Sequence, residues 1–391
     1  MSTPLPSPLA QLLTELGVDP GRARLVRRSA GAPAYLCLPS PERPQLLVPL
    51  ERWAGVMVAE RRARGRRAVA AKQAVSLALT TGLLGTLPVP RLLVDDPALT
   101  ELARWVGGAD GYRLGVLSGP PRANRKPVLR VFTPAGTTWG YAKVGSTPLA
   151  TELVRHEAAA LTHLAQVDLP GLRPPQVLRS GTWRDRAVLV TSPLAGPASH
   201  RQPAALPVGP TRTLFSVGAR SDLPVSASSV FTGSVPPEEL GRPGGELLPL
   251  AERLREALGD RRLPLGAAHG DWTPWNMAWT GGVLEAWDWE RFATDLPAGH
   301  DVVHFESSFV QAADPGPGEE RLLHELPGQL SRCGLDPALT HPLLALYLLV
   351  VGRRYARDLR REHVSSVAAR LDWVIRLLRV TTARVEQGAP A

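Results

Sequence analysis

Lysine is nearly missing from this 391-residue chain: Lys72, Lys126 and Lys143 are three among 45 basic residues, so each of them needs a reason. Cysteine is equally sparse. Cys37 and Cys333 lie far apart and cannot form the disulfide framework of a small secreted domain, which points to a reducing compartment and a cytoplasmic location. Long apolar runs are absent too. The longest, LLALYLLVV at 343–351, is about half of the roughly 20 residues a membrane helix needs. The opening MSTPLPSPLAQLLTEL has no basic residue ahead of an apolar run, so neither a signal peptide nor a membrane partner is expected.

What is present suits a globular protein of two or three domains, with 44% hydrophobic and 21% charged residues. The net charge of +9 is unevenly spread. Residues 1–245 carry 29 basic against 16 acidic groups and residues 246–391 carry 16 against 20, so the two parts are +13 and −4. No basic run is interleaved with aromatics, and the densest cluster, RRARGRR at 61–67, fits a solvated helix face or any anion, so nucleic acid is not an expected partner.

Residues 1–105 mix short apolar runs with an Ala-rich helix near 66–83 and read as an accessory α+β region. From 106 to 193 strand-like runs (YRLGVLSG, VLRVFTPAG, TWGYAKVG) precede a helix over ATELVRHEAAALTHLAQ and a strand AVLVT, a small antiparallel lobe. Residues 194–391 read as a helical lobe, interrupted at 196–245 by a Pro/Ser/Gly-rich insertion expected to be irregular. The fold class is therefore α+β.

The chemistry concentrates in AHGDWTPWNMAWTGGVLEAWDWE, residues 268–290. Two apolar runs flank Thr280-Gly281-Gly282, a hairpin signal. Closing that hairpin brings Asn276, just before its first strand, beside Asp288, just after its second. Few, hard oxygen ligands of this kind suit Mg²⁺, which takes its remaining ligands from waters and substrate phosphates. Asp271, on a tight loop between Gly270 and Pro274, is placed to act as a base for an acceptor hydroxyl. Upstream, Lys143 ends the strand TWGYAK, and Glu157 falls on the apolar stripe of the following helix. A carboxylate there needs a partner, and Lys143 is the expected one.

His269-Gly270-Asp271, Asn276 and Asp288, with four residues between Asp271 and Asn276, resemble the aminoglycoside phosphotransferase and choline kinase-like family, which has the protein-kinase-like fold. Lys143, Glu157 and the run Thr294-Asp295-Leu296-Pro297 leading to Asp301 support the resemblance over roughly residues 110–310. It implies a two-lobed fold with a small antiparallel-sheet N-lobe and a mainly helical C-lobe. Asp271 would be the catalytic base, Asn276 and Asp288 would hold Mg²⁺, and Lys143, oriented by Glu157, would hold the ATP phosphates. Val190, Ser192 and Leu194 would form the hinge that offers backbone groups to adenine. His269 would brace the loop.

The chain departs from that pattern in three places. No glycine-rich loop is found: Ser118–Lys126 is stiffened by prolines and carries three cations, and it either grips phosphates by charge or is an exposed hairpin tip. Trp272 and Trp275 stand where smaller residues are usual and could form an aromatic wall for a cationic acceptor. Glu290 stands where protein kinases have glycine. His300 and His304 have the i, i+4 spacing of a zinc site but lack an evident third ligand, so a packed helix start is expected there. The expected activity is transfer of the ATP γ-phosphoryl group to a hydroxyl of a small molecule such as an aminoglycoside, amino alcohol or sugar. The −4 balance of residues 246–391 leans toward a cationic acceptor. The alternative is a catalytically silent nucleotide-binding or regulatory protein.

Overall fold

Leu46, Leu47 and Val48 point to alternate sides of one strand, as the pleat requires. Leu47 joins an apolar cluster with Leu9, Leu12, Leu102 and Val116, while Leu46 and Val48 join another with Met57, Leu79 and Phe132. The sheet is therefore covered on both faces. In this computed structural model, which describes residues 5–27, 34–60, 65–118, 126–194, 201–219, 224–232, 236–311, 314–361 and 365–388, the strands of the first part are β1 (Ala23–Val26), β2 (Ala34–Ser40), β3 (Arg43–Pro49), β4 (Arg91–Val94), β5 (Arg113–Leu117), β6 (Val128–Phe132) and β7 (Thr138–Gly145). A short β8 (Leu172–Arg173) belongs elsewhere, and β9 (Val177–Trp183) and β10 (Arg186–Thr191) complete the set. The sheet order is β1-β4-β2-β3-β5-β6-β7-β10-β9, with every neighbouring pair antiparallel.

Residues 1–105 are thus continuous with the small antiparallel lobe. Leu46 and Leu47 pair with Leu117 and Val116, so the four leading strands extend the same sheet. The Ala-rich helix is Arg66–Thr80; residues 61–64 of the arginine cluster lie outside the described residues, as do residues 119–125 of the proline-stiffened loop.

The chain divides into two units, Met1–Ala158 with Pro175–Ala198, and Ala159–Pro174 with Ser199–Ala391. The second is mainly helical, with Gly244–Leu258, Gly316–Arg332, Thr340–Arg361 and Ser365–Glu386 as its larger helices and His300–Ser307 among the shorter ones. An antiparallel-sheet unit and a mainly helical unit make the α+β arrangement that the resemblance implies. The apolar run 343–351 lies inside Thr340–Arg361 and is buried there except at Val350. Among the described residues no helix is long and apolar enough to cross a membrane.

The described residues of 201–245 include short helices that their composition does not suggest. Val208–Ser216 is a helix that buries Pro210, Thr211 and Leu214, and Ser229–Thr232 and Pro237–Leu240 are single helical turns. Prolines precede or open two of these pieces, Val208–Ser216 and Pro237–Leu240, where a missing N–H costs nothing. Helices this short give no readable period.

Candidate active site

Strands β11 (Leu265–Ala268), β12 (Met277–Thr280) and β13 (Val283–Ala286) carry the motif residues at their ends, and β14 (Ala293–Pro297) pairs with β11. The β12–β13 hairpin closes in register, Met277 to Ala286 and Thr280 to Val283, around Gly281 and Gly282 at φ +57° and +83°, the left-handed pair that a two-residue turn demands. The Trp287 N–H donates to the Asn276 carbonyl at 3.0 Å, which extends the pairing toward Asp288. Asp288 itself adopts φ +71°, a conformation that costs a non-glycine residue about 1–3 kcal/mol and collects at functional sites.

Between β11 and β12 the loop is held from several sides. The Asp301 carboxylate, at the start of helix His300–Ser307, accepts the N–H groups of His269 and Gly270 at 2.7 and 3.0 Å. Burial pushes the Asp301 carboxyl up to about 7 against these two donors. Gly270 sits at φ +76° with the Arg291 carbonyl 2.3 Å from where a Cβ would be, so no other residue fits. The Arg354 guanidinium donates to the Gly270 carbonyl at 2.9 Å. His269 accepts the Asp271 N–H at Nδ1 (3.2 Å) and therefore donates from Nε2 to the Trp287 carbonyl (3.0 Å). Fully buried, its pKa is lowered to about 4, with desolvation outweighing the field of Asp271. The ring is neutral and braces the loop.

Asp271 is gripped at both carboxylate oxygens: His304 Nε2 lies 3.0 Å from Oδ1, and Asn276 Nδ2 donates to Oδ2 at 2.8 Å and to the Asp271 carbonyl at 3.0 Å. Burial opposes ionisation, but the hydrogen bond and field of His304, then Arg354 and His269, prevail and hold the carboxyl well below the usual range. About a third of the Asp271 side chain stays exposed (34%). Because Asn276 spends Nδ2 on Asp271, its amide turns its oxygen elsewhere. That hard ligand, with the Asp288 carboxylate at the same open end of the hairpin, fits Mg²⁺ in donor type.

His304 is the residue that sequence reasoning missed. Both its nitrogens are engaged, Nε2 by Asp271 and Nδ1 by the Tyr347 hydroxyl at 3.1 Å, and Tyr347 in turn lies 2.7 Å from Ser307 Oγ. With burial lowering its pKa, the neutral ring accepts from Tyr347 and donates to Asp271. No nitrogen remains for zinc. The i, i+4 spacing with His300 gave no sign of this, because the partners come from residues 33 and 43 positions away.

In the first unit, Lys143 Nζ donates to both oxygens of Glu157, at 2.7 and 2.6 Å. Lys143 lies on β7 opposite Leu189 of β10, and Glu157 lies on helix Pro148–Leu164, its side chain almost wholly buried. Of the expected hinge residues, Val190 sits within the sheet between Ala142 and Arg179, and the Ser192 N–H donates to the Gln176 carbonyl at 2.8 Å. Leu194 follows beyond the strand, half-buried. Trp272 is no aromatic wall: it is fully buried and donates to Thr211 Oγ1 at 3.0 Å, whereas Trp275 is exposed.

No protein-family model matches the chain, and no curated protein matches it. Among solved structures, it is similar to an amicoumacin kinase in complex with AMP-PNP, Ca²⁺ and Ami (13% identity over 70% of this chain and 89% of that one, TM-score 0.41). It is also similar to a putative fructosamine-3-kinase from Haemophilus somnus (13%, 72% and 96%, TM-score 0.42). A third is the aminoglycoside phosphotransferase APH(3'')-Id from Streptomyces rimosus (20%, 66% and 98%, TM-score 0.41).

Proposed function

We propose that the protein is a phosphotransferase that moves the γ-phosphoryl group of ATP to a hydroxyl of a small molecule. The observation that carries this reading is the Asp271 carboxylate, held at both oxygens by His304 and Asn276 yet partly open to solvent. Asp271 would align the acceptor hydroxyl and take its proton as the oxygen bonds to phosphorus and the bond to ADP breaks. A carboxylate whose pKa is depressed is a weak base, so its main contribution would be orientation, with the proton moving late. Mg²⁺ bound by Asn276 and Asp288 would supply charge neutralisation on the phosphates. Lys143 would add a cation for the α/β-phosphates, kept in place by Glu157, and the segment Val190–Leu194 would meet the adenine.

ADP release with a panel of hydroxyl-bearing acceptors tests the reading. Asp271→Asn should lower kcat by roughly two to four orders of magnitude while nucleotide affinity is kept. Full activity in that variant would show that the base is misassigned.

A further inference from the structure

A cavity of about 240 Å³ lies within the second unit, and four arginines are among its lining residues, Arg291, Arg353, Arg354 and Arg357, together with His300 and Gly270 and the apolar Val230, Leu296 and Val350. Among the described residues that line it there is no carboxylate. Each of the four arginines is only partly buried. Arg354 holds the Gly270 carbonyl at 2.9 Å, so this cationic wall is fastened directly to the residue before Asp271.

Carboxylates lie behind part of this wall. Arg291 bonds Asp358 at 3.3 Å, and Glu290 also favours its charge, yet burial and the fields of Arg354 and Arg357 leave its pKa lowered. Burial disfavours the Arg354 charge, but the fields of Tyr355, Asp271 and Tyr347 prevail and raise its pKa, and Asp271 is itself shared between His304 and Asn276. Arg353 donates to a neutral group, the Val230 carbonyl, and burial lowers its pKa with no carboxylate to offset the effect. Like charges crowded in this way repel, and a bound oxyanion relieves the repulsion through the planar, two-pronged donation at which arginine excels. The size is informative as well. Pockets for drug-sized ligands run about 300–1,000 Å³, so this one takes a single group rather than a whole aminoglycoside.

We propose that the cavity binds the anionic group, a carboxylate or a phosphate, of the acceptor whose hydroxyl meets Asp271. This rests on the phosphotransferase reading, and it reverses the cationic acceptor that the overall charge balance suggested. Local charge decides here, because a −4 spread over 146 residues is screened beyond about 8–10 Å while the arginines are in contact range.

Two arms test the proposal on the full chain. In the first, inorganic phosphate is titrated calorimetrically without nucleotide into the wild type, Arg353→Gln, Arg357→Gln, Arg353→Lys and Asp271→Asn, each checked for a native unfolding transition. The two glutamine variants should bind at least tenfold more weakly, Arg353→Lys several-fold more weakly because it keeps charge but loses the fork, and Asp271→Asn should still bind. No binding in the wild type, or equal binding in the arginine variants, would overturn the site. In the second arm, ADP release is compared for glycerate, glycerol 3-phosphate, glycerol, ethanolamine and an aminoglycoside. Turnover confined to glycerate or to glycerol 3-phosphate supports the proposal and says which anion is used, whereas turnover confined to the cationic acceptors would overturn it. Arginine-dependent phosphate binding with neither ADP release nor nucleotide binding would keep the anion site and overturn the kinase reading instead.

Discussion

His304 gives Asp271 a fixed orientation that a loop alone could not. A hydrogen bond to a charged group is worth about 1.5–3 kcal/mol, so His304→Ala should lower kcat by roughly ten- to a hundredfold, since about 1.4 kcal/mol is tenfold in rate. The KM for ATP should stay near the wild-type value. His304→Gln, whose amide can still donate to Asp271 Oδ1, should recover part of the loss; a merely space-filling role would make the two variants alike. His269 is tested by pH. Its folded pKa is about 4 against about 6.5 unfolded, so between these values the unfolded chain binds more protons. The stability it contributes is complete above pH 6.5 and is lost as pH falls toward 4. Relative to His269→Gln, the wild type should lose roughly 3 kcal/mol over that interval, read by denaturant unfolding at each pH. A difference independent of pH would mean that the imidazole is not buried in the neutral form.

At the scale of elements, the strand β7 and the helix Pro148–Leu164 are joined electrically by Lys143 and Glu157. Removing one partner of a buried pair strands the other, so Glu157→Ala should destabilise the protein by about 3–5 kcal/mol, whereas Lys143→Met combined with Glu157→Leu should cost far less. Unfolding midpoints of the single and double variants check this, and equal losses would mean that the pair does not interact. Elements of this kind were legible in the sequence because their cues are local. Gly281-Gly282 between apolar runs announces a hairpin, and Glu157 on an apolar stripe announces a partner. The short helices within 201–240 were not legible, since helices of four to nine residues are too short to show a period.

For the whole molecule, charge and order along the chain revealed only part of the architecture. Antiparallel strands ahead of helices could be read from the apolar patterns, but the extension of one sheet by residues 23–94 could not, because β3 meets β5 across more than sixty residues. Residues 268–290 carry Asp271, Asn276 and Asp288 in one stretch and so could be read. Of the partners that hold them, Asp301 is marked by the run that leads to it from Thr294, whereas His304, Tyr347 and Arg354 come from helices whose sequence shows only burial. The arginine-lined cavity belongs to the same class, being assembled by folding from Arg291 and one turn of helix Thr340–Arg361. The measurement that tests the central claim most directly is calorimetric titration of the protein with ATP, with and without Mg²⁺, repeated on Asp288→Ala. The account predicts Mg²⁺-dependent ATP binding that the variant loses. Folded wild-type protein that binds no ATP, or binding that the variant keeps unchanged, would contradict it.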